Sequence, residues 1–228
     1  MKALGFDFGQ TLAELDYEFL QRRLSERDAA FDAREAAAGS NEASRVYGAK
    51  KSEGHALAWR AMMEILLTCG GVGAERVGEL ASWLWQEQPR QNLWRRPIPG
   101  MIELVRELKQ RGVPLVVISN SEGHLAELVE ELGWERDFEV VIDSGRIGID
   151  KPDPRIFAHA CAAVGVSPQD LLHVGDSWEA DVQGALGASA SAVWFDARHR
   201  ERALPERVYG AANARELREI LARLAFLS

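Results

Sequence analysis

Apolar positions along the chain change their period twice. The first run, Ala3-Leu4-Gly5-Phe6, is short and continuous and gives way to Asp7 and Gly9. It predicts a buried central strand over residues 2–8 whose carboxyl end delivers Asp7. From residue 15 to about 94 the apolar positions recur at helical spacing, broken at Gly70, Gly71 and Gly73, with no strand-like stretch. Beyond Pro97 and Pro99-Gly100 the pattern alternates. Helices are predicted over 101–111, 122–132, 154–164, 179–186 and 214–224, the first three stopped by Gly112, Gly133 and Gly165. Strands are predicted over 113–118, 138–142, 171–174 and 190–195. Such alternation implies βαβ units and a parallel sheet. The expected architecture is α/β: a doubly wound core made of residues 1–13 and 97–228, and an all-helical insert over 14–96.

Length and composition narrow the setting. The 228 residues suffice for one good core with a smaller satellite. Acids outnumber bases 35 to 27, and the net charge of −8 argues against nucleic acid or anionic membrane as partner. No stretch approaches the ~20 apolar residues of a membrane span, and the residues after Lys2 do not form a signal pattern. A cytoplasmic protein, monomer or homodimer, is expected. Cys69 and Cys161 lie in apolar helical stretches without metal-ligand spacing and read as small core residues of a reduced protein.

In open parallel sheets the site lies beyond the carboxyl ends of the strands. Here those positions carry Asp7, then Ser119-Asn120-Ser121, a loop with Lys151-Pro152-Asp153, and Gly175-Asp176 followed by Asp181. Carboxylates with backbone oxygens suit Mg²⁺, and a hydroxyl and an amine suit phosphoryl oxygens. An aspartate nucleophile there divides one difficult displacement into two. Each element alone is ordinary turn or N-cap chemistry. Their common placement at strand ends is what makes them a site.

In this order the residues resemble the haloacid dehalogenase superfamily, in the branch whose helical cap is inserted after the first motif. The first motif matches at Asp7 and Thr11, the second at Ser119, the third at Lys151 and the fourth at Gly175-Asp176 with Asp181. The resemblance implies a hydrolase of a small phosphorylated metabolite with Asp7 as nucleophile. It assigns Mg²⁺ to Asp7, the Gly9 carbonyl and Asp176, with Asp181 orienting a water on the metal. Ser119 and Lys151 would hold phosphoryl oxygens, assisted by Asn120.

One departure stands out. Phosphatases of this family usually read Asp-x-Asp-Gly-Thr, and this chain reads Asp7-Phe8-Gly9-Gln10-Thr11. The missing second aspartate normally protonates the leaving oxygen, an effect worth about 10²- to 10⁴-fold. Gln10 does not titrate near neutrality. Besides a phosphatase for good leaving groups, the chain could be a weakened binding or regulatory relative. A third alternative is a phosphonatase-like enzyme with Lys50 or Lys51 as Schiff-base lysine. Dehalogenation, which needs no cation, fits poorly with acids at both Asp176 and Asp181. Trp59, Trp83, Trp85 and Trp94 read as core rather than lid, Arg95-Arg96 as a solvated pair, and His173 as a satisfied core residue.

Overall fold

The computed structural model describes residues 2–50 and 53–227. They fall into two compact units, Met1–Glu14 with Trp94–Ser228, and Leu15–Leu93. The first is built on strands β1 (Ala3–Phe6), β4 (Leu115–Ser119), β5 (Val140–Asp143), β6 (Leu171–Gly175), β7 (Ser191–Phe195) and β8 (Val208–Ala211). They form one six-stranded sheet in the order β5-β4-β1-β6-β7-β8, and the pairs are parallel. The other two strands, β2 (Ala13–Leu15) and β3 (Trp94–Pro97), form a two-stranded ribbon where the chain leaves the core and returns to it.

The apolar runs of β1, β4, β6 and β7 are continuous because both faces of the sheet are covered. Leu4, Phe6, Val117, Leu172, Val174, Val193 and Phe195 point to one face, over helices α6 (Met101–Gln110), α7 (Leu125–Glu131) and α11 (Ala214–Arg223). Ala3, Val116, Ile118, Leu171, Ala192 and Trp194 point to the other, over α9 (Pro154–Ala163). Each fully buried large side chain stabilises the fold by about 1.5–3 kcal/mol. Chain order reverses about β1, which is flanked by β4 and β6, so the carboxyl ends of these three strands bound the crevice of a doubly wound sheet.

The inserted unit carries helices α1 (Tyr17–Ser25), α2 (Ala33–Ala38), α3 (Ser40–Lys50), α4 (His55–Cys69) and α5 (Ala74–Glu87). Asp16 and Asp32 are the N-caps of α1 and α2. Trp59 is buried with Met63, Leu66 and Leu67 of the same helix. Trp83 lies between the guanidinium groups of Arg23 and Arg27, each 4.9 Å from its ring centroid. Cys69 is exposed, not the core residue expected of it, because it ends α4; Cys161 is buried.

Differences from the sequence reading are local. The ribbon of β2 and β3 falls where only helix was expected, since runs of three and four residues containing Arg95-Arg96-Pro97 show no alternation. Strand β8 was likewise unread. The helix expected over 179–186 is a π-helical turn, Trp178–Gln183, followed by a short helix, Gly184–Gly187. Among the described residues no helix is long and apolar enough to cross a membrane.

Candidate active site

Asp7 is the first residue past β1, and its carboxylate is the hub of a buried polar network. Its Oδ1 accepts from the Ser119 hydroxyl at 2.8 Å and from the Lys151 ammonium at 2.7 Å. Its Oδ2 has no protein donor among the described residues, so one oxygen is held and the other is left for chemistry. Ser119 reaches Asp7 because β1 and β4 pair in register, with Phe6 beside Val117.

Lys151 also donates to Asp181 Oδ1 at 2.6 Å. Burial pushes its pKa down, but the Asp181 and Asp7 carboxylates outweigh that and leave it above the ordinary lysine value. The ammonium therefore stays charged. For Asp181, burial works upward, yet Lys151 and the His173 N–H hold it well below the usual carboxylate range. Its other oxygen, Oδ2, accepts from the Ser177 backbone N–H at 2.9 Å.

Asp181 occupies this position because of the π-helical turn. The Val182 N–H reaches back five residues to the Ser177 carbonyl, and the Ser177 hydroxyl N-caps the turn through Ala180. Such turns tend to occur at functional positions. Gly175 is the other requirement: a Cβ there would lie 2.2 Å from Asp181 Cγ. Any larger residue would expel the carboxylate.

Two residues of the network escaped the sequence reading. His173, expected to be a satisfied core residue, lies with Nε2 2.9 Å from Asp181 Oδ1, while its buried Nδ1 has no partner. Burial lowers its pKa, against the pull of Asp181, so it is a neutral imidazole whose Nε2–H donates to the carboxylate. Gly5 makes room for it, since a Cβ at Gly5 would come within 2.9 Å of Nδ1. Asp143 is the second. It ends β5 beside Ser119, and its carboxylate accepts from the backbone N–H groups of Gly123, Leu125 and Gly145, pinning the loop that follows Ser119. Asp143 acts on the loop after a neighbouring strand and His173 on the turn that follows its own, contacts that local apolar pattern does not signal.

Asn120 fastens that loop to the next. Its Oδ1 accepts from the Lys151 N–H at 2.7 Å and its Nδ2 donates to the Lys151 carbonyl at 3.0 Å. Ligand oxygens of Asp7, Asp176 and Asp181 lie within 4.8 Å of one another, an all-carboxylate set suited to a hard cation. Asp181 already has both oxygens hydrogen-bonded. The Asp176 carbonyl is held by the Trp194 indole N–H at 2.9 Å, which fixes the start of the loop.

At Gly9 a Cβ would meet only Trp94, at 3.6 and 3.8 Å, so the position has room for a side chain. Gln10 takes a left-handed φ of 57° where the family pattern has glycine. Away from the network, Lys50 ends α3 and pairs with Glu53 at 3.6 Å, and Lys51 lies outside the described residues. Arg95 pairs with Glu131 and is largely buried, unlike the solvated pair expected, whereas Arg96 pairs with Glu14 and is exposed as expected.

A family model described as haloacid dehalogenase-like hydrolase matches residues 1–189. The phosphoserine phosphatase of Thermus thermophilus is 37% identical over 138 residues, which are 60% of this chain and 53% of that protein. The N-acylneuraminate-9-phosphatase of Rattus norvegicus is 30% identical over 132 residues, 57% of this chain and 52% of the relative. The chain thus spans about half the length of the curated relatives it matches. Among solved structures, a putative HAD-hydrolase from Bacillus subtilis, YfnB, matches with a TM-score of 0.72 at 20% identity, over 96% of this chain and 98% of that one, a likeness of fold. With the family model spanning most of its length, the chain belongs to the haloacid dehalogenase-like hydrolases.

Proposed function

We propose that the protein is a Mg²⁺-dependent phosphatase of small phosphorylated metabolites that works through an aspartyl-phosphate on Asp7. The observation that carries this reading is the state of the Asp7 carboxylate. One oxygen is locked by Ser119 and Lys151, and the other has no protein donor among the described residues.

Asp7 Oδ2 attacks phosphorus, forming a new O–P bond as the ester oxygen leaves with the electron pair of the old one. Lys151 has a third N–H to offer a non-bridging oxygen, Ser119 would turn its one hydrogen from Asp7 Oδ1 to a second, and Lys151 shields the nucleophile from Asp181. Water then attacks the aspartyl-phosphate and releases inorganic phosphate. The donor set fits Mg²⁺, which Asp7, the Gly9 carbonyl and Asp176 would hold with Asp181 orienting its shell; when bound it neutralises charge on the phosphoryl group.

With glycine at position 9 no carboxylate stands ready there to protonate the leaving oxygen. The favoured substrates are therefore those whose leaving groups depart as stable anions, such as acyl phosphates. We further propose that the helical unit over 14–96 serves as the cap that selects among them.

The test is a panel of acyl phosphates, aryl phosphates and alkyl phosphates assayed with Mg²⁺, beside Asp7→Asn. Loss of turnover in Asp7→Asn and borohydride-trappable phosphoenzyme in the parent are the expected results. Undiminished turnover in Asp7→Asn would overturn the mechanism. Room for a side chain at Gly9 favours a second reading, a relative that has shed its acid and keeps the fold for binding. Tight Mg²⁺ binding with no turnover of any panel member would establish it.

A further inference from the structure

Beside Asp176 lies a basic and aromatic patch that the mechanism does not use. Strands β6 and β7 pair with Gly175 opposite Trp194, so the loop after β7 stands at the same carboxyl edge as Asp176. Trp178, two residues past Asp176, packs edge-on against Trp194 at 4.9 Å between centroids. That loop bears Arg198, Arg200 and Arg202, and Arg207 follows it.

Three of these cations are committed. Arg198 is paired with Asp196, Arg200 with Glu216 at 2.6 Å, and Arg207 donates to the Ser189 carbonyl at 2.9 Å. Arg202 differs. Its guanidinium lies 4.3 Å from the Trp178 centroid and 5.7 Å from that of Trp194, and it has no acceptor among the described residues. Stacking uses the face of the guanidinium and leaves the N–H donors at its edge pointing outward. A guanidinium this close to an indole, with no acceptor among the described residues, has fork donors to offer a carboxylate or phosphoryl group.

We propose that Arg202, braced on Trp178 and Trp194 at the same carboxyl edge of the sheet as Asp176, is a subsite for a second anionic group on the substrate. The proposal rests on the phosphatase reading and deepens it: the preferred substrate is a phosphorylated compound whose leaving group carries a further carboxylate or phosphate. Arg202 is then a specificity residue that does not touch the reacting atoms.

Inert phosphonates separate binding from turnover. Calorimetric titration with Mg²⁺ compares propylphosphonate, 3-phosphonopropanoate and propane-1,3-bisphosphonate on the parent, Arg202→Gln and Arg202→Lys, with melting temperatures as a folding control. The parent should bind at least one charged-terminus compound about tenfold more tightly than propylphosphonate, and whichever gains shows whether carboxylate or phosphate is read. Arg202→Gln should erase that preference while leaving propylphosphonate affinity unchanged, and Arg202→Lys should keep part of it. Equal affinities for all three in the parent, or a uniform loss in Arg202→Gln, would overturn the subsite; uniform loss with a lower melting temperature would show that Arg202 only covers the indoles. Failure of propylphosphonate itself to bind would overturn the phosphatase reading, and the subsite with it.

Discussion

Replacing Gly9 by aspartate restores the carboxylate whose absence defines this site. The structure sets the cost: a Cβ at position 9 meets only Trp94 Cδ1 at 3.6 Å and Nε1 at 3.8 Å, ordinary contact distances, and the backbone there is not left-handed. The Cβ itself is therefore tolerated, and with Mg²⁺ present to offset the added charge folding should stay within about 0.5 kcal/mol of the parent. The gain is that of a general acid, about 10²- to 10⁴-fold, equivalent to roughly 3–5 kcal/mol of barrier. It should appear only where the leaving oxygen needs a proton. Initial rates with an alkyl phosphate should rise by at least about 100-fold in Gly9→Asp, and those with p-nitrophenyl phosphate by less than about 10-fold. Gly9→Asn supplies the same shape without a proton and should match the parent. An equal rise for both substrates, or none for the alkyl phosphate in a variant with an unchanged melting temperature, would refute the argument.

Lys151→Met strands the Asp7 and Asp181 carboxylates in a buried site, and because Ser119, His173 and Ser177 still donate to them the loss should be near the low end for a broken buried pair, about 3 kcal/mol by urea unfolding at pH 7 in EDTA. Asp181 is held below its unfolded value, so its contribution is present above about pH 4 and lost as pH falls through its folded pKa; the Lys151→Met deficit should narrow in acid, and a flat difference would count against the pairing. Asn120→Ala removes two hydrogen bonds to the Lys151 backbone and should cost about 1–3 kcal/mol in the same assay. Asp153, N-cap of α9 and partner of Arg155, is held at about 2 first by the Arg155 guanidinium and then by its backbone N–H. Carboxyl-carbon NMR should show its midpoint there and not near the ordinary aspartate value of 3.8, its stabilising effect being lost as pH falls toward 2.

What the sequence made legible, and what it hid, follows from where each interaction is made. Asp7, Ser119 and Asp176 each follow or end an apolar run, and strands buried on both faces are the easiest elements to read. His173 was hidden because it sits inside such a run: between Leu172 and Val174 nothing marks it as facing Asp181. Gly5 and Gly175 look like ordinary strand glycines until the neighbouring strand and the π-helical turn bring His173 and Asp181 against them. The helix expected over 179–186 differs for a related reason, since the turn that interrupts it serves Asp181, and a Cβ at Gly184 would come within 2.9 Å of the Phe157 ring. Local pattern reports burial, and these residues answer to partners more than a strand away.

The charges of the site bear on the cation as much as its geometry does. Asp7, Asp176 and Asp181 bring three carboxylates to within 4.8 Å, Lys151 brings one ammonium, and His173 is neutral because burial lowers its pKa. The network is thus left with two negative charges in a partly desolvated crevice, an arrangement that is costly unless compensated. A divalent cation compensates it fully, and a monovalent one does not. The same balance explains why Lys151 is buried although burial alone would discharge it: without the ammonium, three carboxylates would face a cation of only two charges. Position 9 fits the same logic. An aspartate there helps catalysis in its protonated form, and that form is favoured in a site already neutral with Lys151 and Mg²⁺ in place. Glycine at that position removes a proton donor without disturbing the charge balance that would bind the metal, so the proposed mechanism expects Mg²⁺ binding to persist where turnover of poor leaving groups is lost.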